Sequence, residues 1–306
     1  MHYWWQWSEE GYKNALRYFQ NAVEIDPSYA PAHAGVALVY RSGGIWLWPP
    51  RDTMPKCKEA ARKAIDLDPT LADAYVAMAA AQTYYDWDWA GAEENFKRAL
   101  QLSPHSSVAM DLYNNFLVAR GRFDEAIALL NNALKLDPLA PGLHSDLGWT
   151  YASAGRAETG IPHLLKALEL ESRFLQGHVN LGVCYLAVGK IDEAVAEFEI
   201  AVQLAPDSPY PLRNLGHAFG SAGRRAEALK ILAALDQLAT RRYVPPNSQA
   251  FVYVGLGQKD IALDWLEKAY DERDGSMTYL KVQLPLKSLH TEPRFQALLK
   301  KMGLDK

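Results

Sequence analysis

A turn that recurs with a 34-residue period limits the possible folds of this chain more than any other feature. Each turn follows an apolar helical segment, and the turns fall at Pro104, Pro138, Ser172, Pro206 and Thr240. Pro27 and Pro69 end similar segments at looser spacings earlier in the chain. A self-similarity of this length is typical of helix-turn-helix solenoids, in which each unit packs only on its neighbours. The sequence therefore predicts an all-α repeat array.

The segment 175–206 shows how one unit is built. Gly189 is placed to end a first helix, as glycine commonly does at a C-terminal cap. The small residue Gly182 allows the two helices of the unit to approach closely, and Phe198 falls on the inner side of the second helix. Pro206 stops the second helix and begins the turn into the next unit.

This pattern resembles the tetratricopeptide repeat (TPR). Equivalent positions hold Leu147, Gly148, Tyr151, Gly155 and Ala167 in one unit, and Leu215, Gly216, Phe219, Gly223 and Ala228 in another. The resemblance covers residues 8–272 and implies a right-handed superhelical solenoid of helix-turn-helix repeats. We expect a TPR solenoid over residues 1–274, with about seven to eight repeats of which the first is incomplete. Residues 275–306 are expected to form a C-terminal capping segment.

Four segments carry a closer resemblance. They are residues 18–40, 85–104, 256–273 and 292–304, and they include a Tyr-Asp-Trp-Asp-Trp turn and a terminal Pro-Arg-Phe…Met-Gly-Leu. Together they resemble the C-terminal TPR region of bacterial multidomain signalling proteins. In those proteins a winged-helix regulator, a nucleotide cyclase or a serine/threonine kinase domain precedes the repeats. The resemblance implies a regulatory module whose effector domain is absent from this chain.

Composition excludes several partners and sites. The formal net charge of −4 and the isoelectric point near 6.1 favour neither nucleic acid nor an anionic membrane as a partner. The two cysteines, Cys57 and Cys184, form no cluster with spacing suited to a structural zinc ion. Two separate thiols and the lack of a signal peptide pattern favour a cytoplasmic protein. We expect no membrane span, no metal and no cofactor.

The sequence contains no nucleotide-binding, zinc-protease or hydrolase motif, so we predict that the protein is not an enzyme. His33, His144 and His178 occupy equivalent places in different first helices, which favours a packing role for them. Asp88 is expected to cap the helix that follows it, because aspartate accepts hydrogen bonds from free amides at a helix start. A last helix is expected from Glu292 or Pro293.

The first helices of stacked repeats line a groove, and the helical register assigns residues to it. The predicted groove residues are Asp111, Asn115, Asp146, Trp149, Asn180, Arg213, Asn214 and His217. Asp146, Asn180 and Asn214 follow the 34-residue period and form a polar ladder. Asparagine can donate to and accept from an extended peptide backbone, and Trp149 suits an aromatic anchor. The alternative is that these asparagines cap or bridge neighbouring helices.

Two further surfaces are rich in tryptophan. Residues 42–55 contain a Gly-Gly pair and two adjacent prolines, which predict a loop between the two helices of the second unit. Trp46 and Trp48 in this loop either cover neighbouring helices or contact a partner. Trp4, Trp5 and Trp7 lie where the first repeat is incomplete, and they suggest an N-terminal edge through which copies of the chain could associate.

These observations lead to one functional expectation and one alternative. The expectation is a non-enzymatic scaffold that binds a peptide or a partner protein in the groove. The alternative is a sensory or regulatory module of a larger transcription regulator, cyclase or kinase.

Overall fold

A computed structural model describes residues 9–305, except for the side chains of Glu9 and Trp46. The tryptophan-rich edge at Trp4, Trp5 and Trp7, and with it the suggested association between copies, lies outside the described residues. The side chain of Trp46, one of the two expected loop contacts, lies outside them as well.

All the regular structure in residues 9–305 is helical, and the predicted all-α repeat fold is confirmed. The helices are α1 (Glu9–Ile25), α2 (Ala30–Trp46), α3 (Pro50–Leu67), α4 (Ala72–Ala81), α5 (Trp89–Leu102), α6 (Ser107–Ala119), α7 (Phe123–Leu136), α8 (Pro141–Ser153), α9 (Ala157–Leu170), α10 (Leu175–Ala187), α11 (Ile191–Leu204), α12 (Pro209–Ser221), α13 (Arg225–Ala239), α14 (Asn247–Gly255), α15 (Lys259–Asp271) and α16 (Pro293–Lys301). A π-helical turn (Gln82–Asp86) follows α4, and two 3₁₀ helices (Gly275–Tyr279 and Leu284–Leu289) lie between α15 and α16.

The chain divides into two compact units. The first contains residues up to Tyr113 together with Glu272–Thr278, and the second contains Asn114–Asp271 together with Tyr279–Lys306. The segment after α15 contributes to both units, and the expected boundary between repeats and capping segment at residue 274 stays a prediction. In the second unit α8, α10 and α12 each pack on their own second helix and on the first helix of the next repeat.

Glycines in the left-handed conformation explain the fixed period of the second unit. Five glycines that share the 34-residue period have φ between 72° and 79°, and they are Gly121, Gly155, Gly189, Gly223 and Gly257. At one of these turns the amide of Gly189 donates to the carbonyl of Leu186, and the next amide, of Lys190, donates to Tyr185. These bonds satisfy carbonyls at the end of the first helix, and a left-handed residue is needed to form them.

Glycine also sets the distance between the helices of a repeat. A β-carbon on Gly182 would lie 2.5 Å from Cε1 of Phe198, which is fully buried. In the preceding repeat, a β-carbon on Gly160 of α9 would lie 2.4 Å from the carbonyl oxygen of Gly148 in α8. The backbones of α8 and α9 are therefore as close as they can be, and any larger residue at Gly160 meets backbone.

A side chain near the start of several first helices holds the preceding turn. His33, Tyr75, His144 and His178 each bond to the backbone carbonyl six residues earlier, at 3.0 Å. His178 in addition places Nδ1 2.6 Å from a carboxylate oxygen of Glu197. This hydrogen bond raises the pKa of His178, and burial acts in the opposite direction. The equivalent histidines thus stabilise the fold, because each bonds to the turn that precedes its own helix.

The loop predicted over residues 42–55 is wrong, because most of this segment is helical. Helix α2 continues through the Gly-Gly pair to Trp46, and α3 begins at Pro50. Proline is well tolerated at the first position of a helix, where its missing amide would have no partner. Gly43 leaves space for the ring of Trp48, whose Cε3 would lie 2.1 Å from a β-carbon at that position. The glycines therefore provide space rather than flexibility.

Trp48 packs within the first unit. Its ring lies edge-on to Tyr12 of α1, with 6.4 Å between the centroids, and it borders a small apolar cluster that includes Ala15 and Val39. This environment matches the alternative in which the tryptophan covers neighbouring helices.

The Tyr-Asp-Trp-Asp-Trp turn has an unusual backbone in the first unit. It begins in the π-helical turn, and Trp87 then adopts the left-handed conformation with φ of 58°. The guanidinium of Arg273 lies 4.2 Å from the centre of the Trp87 ring. Asp88 accepts a hydrogen bond of 3.1 Å from the amide of Gly91, which confirms the predicted helix cap.

The last helix, α16, begins at Pro293 as predicted and packs on α15. Phe295 is fully buried, while Arg294 forms ion pairs with Asp264 and Glu267 of α15. Gly303, with φ of 65°, follows the helix, and its carbonyl accepts a hydrogen bond from Arg120. The terminal sequence motif therefore packs the end of the chain against α15 and bonds it to Arg120 within the second unit.

No helix within residues 9–305 is both long enough and apolar enough to cross a lipid bilayer.

Candidate functional site

The candidate site is the face of the second unit formed by the first helices α8, α10, α12 and α14, here called the inner face. These helices pack side by side, and the second helices α9, α11 and α13 pack behind them. Because successive first helices are related by the 34-residue period, residues one period apart occupy the same place on neighbouring helices. The predicted groove residues from Asp146 to His217 all belong to these helices.

The two asparagines of the predicted ladder are buried and bonded within the protein. Asn180 is 2% exposed, and its amide nitrogen donates to the Ser145 hydroxyl of the neighbouring first helix at 3.0 Å. Its carbonyl oxygen accepts from Gln176 at 3.0 Å. Asn214 is 3% exposed and donates to the carbonyl of Tyr210 at 2.8 Å. Asn180 therefore bridges neighbouring helices, as in the alternative interpretation of the sequence.

Arg213 is a buried cation that joins α12 to α14. The residue is only 7% exposed, and Nη1 donates to the amide oxygen of Asn247 at 2.8 Å. The guanidinium lies between two rings, 5.0 Å from the centroid of Tyr210 and 4.5 Å from that of Phe251. Aromatic faces attract a cation of this kind most strongly where water is excluded.

His217 is held in its neutral form on α12. Burial lowers the pKa of His217 to about 4, although a hydrogen bond to the carbonyl of Phe251 opposes the change. This bond is 3.0 Å long and involves Nδ1. Because a carbonyl can only accept, Nδ1 carries the hydrogen and Nε2 is left as an acceptor towards the Ser221 hydroxyl, 3.4 Å away. His217 is thus a second link between α12 and α14.

Asp146 and Trp149 are half-buried on α8. The carboxylate of Asp146 is near enough to Tyr210 to add to the rise in the pKa of that phenol, of which burial is the main cause. The Tyr210 hydroxyl accepts a hydrogen bond of 2.9 Å from Gln176. These contacts place Asp146, Gln176 and Tyr210 in one polar patch across α8, α10 and α12.

The remaining groove residues lie on α6, which is not one of the four helices of the inner face but is joined to α8 by the hydrogen bond from Thr150 to Asn114. Asp111 belongs to the first unit and Asn115 to the second, and both are half-buried.

The feature that sequence reasoning missed is a segment of the chain itself that covers part of the inner face. Tyr279 packs edge to face on Trp149, and Leu284 packs on an apolar cluster that joins α8, α9 and α10. The second 3₁₀ helix packs on α14. The only signal in the sequence is the short apolar stretch after residue 274, which does not reveal what it packs against.

A separate cleft of about 910 Å³ lies in the first unit, between α2 and α3. It combines aromatic and charged side chains, namely Tyr40, Tyr85, Lys56, Glu59, Arg62 and Lys63. The ammonium of Lys56 lies 5.6 Å from the centre of the Tyr40 ring, and Lys58 at the same cleft pairs with Asp86 at 2.6 Å. The Tyr40 ring and the Asp86 carboxylate thus compensate part of the positive charge of the lysines in this cleft.

The residues of the inner face can position a ligand by packing and polar contacts, and they offer no arrangement suited to a metal. Within residues 9–305 no group of three or more histidine, cysteine or acidic side chains is placed to hold an ion. Cys57 and Cys184 are free and buried, and burial raises the pKa of both thiols to about 12.

Several solved structures are similar to this chain in fold. A thermophilic TPR protein of Thermus thermophilus, TTC0263, is 22% identical over 56% of this chain and 92% of its own, with a TM-score of 0.51. Human IFIT1, solved as a dimer with m7Gppp-AAAA, is 17% identical over 86% of this chain and 68% of its own, with a TM-score of 0.64. The Cut9-Hcn1 hetero-tetramer of the APC/C gives a TM-score of 0.64 at 18% identity, over 95% of this chain and 52% of that chain.

Family models locate the repeats in the sequence. The model described as TPR repeat matches residues 115–155, and the model described as tetratricopeptide repeat matches residues 145–209. A search of curated proteins with the sequence finds no match. The likeness to solved structures establishes the fold, and the family models establish that residues 115–209 contain tetratricopeptide repeats, the units of a protein-interaction scaffold.

Proposed function

We propose that this protein is a non-enzymatic scaffold that binds a peptide or a partner protein on the inner face of its repeats. The observation that carries the proposal is the row of first helices α8, α10, α12 and α14, whose mutual contacts make a continuous surface. Such arrays present extended surfaces on which a partner can be recognised at several repeats at once.

The predicted groove residues divide into two roles under this proposal. Asn180 and Arg213 hold neighbouring helices in register through buried hydrogen bonds, and Asn214 is buried and bonded within its own helix. Asp146 and Trp149 are half-buried and accessible at the surface, so we assign partner contact to them. An aromatic residue beside a carboxylate suits a peptide that carries an apolar side chain next to a basic one.

The alternative is a regulatory module that acts on an effector domain, such as a winged-helix regulator, a cyclase or a kinase. It is favoured by two motifs, the turn at residues 85–89 and the tail at residues 292–304. Both are tied into the structure, through Arg273 on Trp87 and through buried Phe295. Under this alternative the partner of the repeats is the effector domain. Both proposals place the protein in the cytoplasm, where buried free thiols remain reduced.

Cross-linking mass spectrometry on partners recovered with the full chain tests the proposal. We expect cross-links and hydrogen-exchange protection to fall on α8, α10 and α12. A chain carrying Leu165→Ser on the opposite side of the repeat is the matched control, since Leu165 of α9 is 49% exposed. Protection confined to α9, α11 and α13, together with loss of the partner in the control, would contradict an inner-face site.

A further inference from the structure

Residues 279–289, here called the resident segment, are placed on the inner face as a bound peptide would be. Tyr279 meets Trp149 of α8, and Leu284 packs on an apolar cluster formed by residues of α8, α9 and α10. Both side chains are only half-buried, so the two contacts lie at the surface. Leu280, Leu286 and Leu289 are fully buried and anchor the same segment.

The backbone of the resident segment forms its own turns. The carbonyl of Tyr279 accepts from the amides of Val282 and Gln283 at 2.9 and 3.0 Å, and the amide of Leu286 donates to Gln283 at 3.0 Å. The amides of Asn180 and Asn214 meanwhile donate to Ser145 and Tyr210. Recognition between the segment and the inner face therefore relies on side-chain contacts to Trp149 and to the apolar cluster, and not on asparagine contacts to an extended backbone.

We propose that residues 279–289 are a resident ligand of the inner face, and that the partner displacing them is a peptide with an aromatic residue followed five positions later by leucine. This inference rests on the proposed function, because it names the ligand class of the same surface. The aromatic residue takes the place of Tyr279 on Trp149, and the leucine takes the place of Leu284 on the apolar cluster of α8, α9 and α10. A proline after the leucine, as at Pro285, favours the start of a short helix.

Tethering explains why such a peptide would not bind the intact protein readily. The resident segment is joined to α15 and α16, so its contacts form within one molecule. Short connections of this kind give an effective concentration of about millimolar, against which a free peptide must compete. The apparent affinity for a peptide is its intrinsic affinity multiplied by the fraction of molecules whose inner face is open. The resident segment therefore covers the inner face until a partner that makes additional contacts displaces it.

The test uses the full chain and a labelled peptide with the sequence of residues 277–290, followed by fluorescence anisotropy. The opened variant carries Tyr279→Ala and Leu284→Ala, and its matched control carries Lys287→Ala and Ser288→Ala at exposed positions of the same segment. We expect the opened variant to bind the peptide at least about tenfold more tightly than the wild type and the control. A peptide with alanine at both contact positions should lose this binding.

Equal affinity for the wild type and the opened variant overturns the proposal, and so does equal binding of the two peptides. Circular dichroism and a thermal melt establish that the opened variant is folded. If it is not, Tyr279→Ala alone is tested in the same way with the same criteria. This test can be distinguished from the cross-linking test of the proposed function. If the opened variant binds the peptide but a partner protects only α9, α11 and α13, the resident ligand is supported and the proposed function fails.

Discussion

Trp149 and Tyr279 meet edge to face, with 5.1 Å between the ring centroids and 90° between the ring planes. In this arrangement the positive edge of one ring faces the negative face of the other, which is the favoured geometry for an aromatic pair. The tryptophan expected to anchor a partner is thus already in contact with the chain's own tyrosine, which lies several repeats further along the sequence.

Replacing Tyr279 with alanine should destabilise the second unit. The aromatic pair contributes about 0.5–1.5 kcal/mol beyond the burial of the ring itself. Tyr279→Phe keeps the ring and is the control, so it should leave the free energy of unfolding within about 0.5 kcal/mol of the wild type. Urea denaturation of the three proteins makes the comparison. Identical stabilities of the alanine and phenylalanine variants would show that the edge-to-face contact does not form.

Gly160→Ala should destabilise the protein more than a glycine substitution at an open position. The new β-carbon would lie 2.4 Å from the carbonyl oxygen of Gly148, so α8 and α9 must separate, at a cost of about 1–3 kcal/mol. Gly142→Ala, also in the α8–α9 repeat, is the control because its β-carbon would meet nothing within 4 Å. Thermal melts should show a lowered midpoint for the first variant alone. A lowered midpoint for both would mean that the backbone approach is not the cause.

Asn180→Ala should reduce stability, because it removes the bridge from α10 to α8. Ser145 is fully buried, and loss of its partner leaves an unsatisfied hydroxyl that costs about 1–3 kcal/mol. If Asn180 instead served only a ligand in the groove, the substitution would leave stability unchanged. Asn131→Ala on the exposed side of α7 is the control, with an expected change within about 0.5 kcal/mol. Chemical denaturation distinguishes the two roles.

Stability should decrease in acid because of His217. Its folded pKa of about 4 lies below the ordinary value of 6.5, so between these limits the unfolded chain binds a proton that the folded protein does not. The contribution is complete above pH 6.5 and is lost as the pH falls to 4, by a total on the order of 3 kcal/mol. His217→Gln does not titrate and should flatten the dependence over this interval. Parallel pH dependences for wild type and variant would show that His217 is not buried in its neutral form.

The tail motif should act through its phenylalanine and not through its ion pairs. Phe295 is fully buried, and Phe295→Ala should cost about 3–5 kcal/mol through lost burial and the cavity left behind. Arg294 pairs with two carboxylates at an exposed surface, where such pairs contribute about 1 kcal/mol or less. Arg294→Ala is therefore the control with a small effect. A larger loss for Arg294→Ala than for Phe295→Ala, measured by urea denaturation, would reverse this assignment.

Local signals are sufficient to predict the hairpins. A left-handed glycine such as Gly189 ends a helix wherever it occurs, and the cap at Asp88 needs only the three residues that follow it. The prediction for residues 42–55 is wrong because glycine and proline occur within helices and at helix starts as well as in loops. The same Gly43 that would loosen an isolated helix here makes room for the ring of Trp48.

Spacing assigns the predicted groove residues to first helices, but their roles cannot be deduced from it. Asn180 and Asn214 fall on equivalent turns, and the period does not reveal whether their amides face a ligand or a neighbouring helix. For Asn180 that choice depends on Ser145, which lies within reach only once the repeats have stacked, whereas Asn214 donates to the carbonyl of Tyr210 in its own helix.

The succession of helical hairpins follows from the sequence alone, because turns, caps and apolar faces recur at a period that each unit satisfies through near neighbours. What covers the inner face depends instead on how the repeats stack in three dimensions. The contact between Trp149 and Tyr279 depends on the path of the whole chain between them, and an apolar stretch such as residues 279–289 packs on any surface that excludes water equally well. The hydrophobic effect has no direction, so the partner of that stretch is fixed by stacking and not by its own residues.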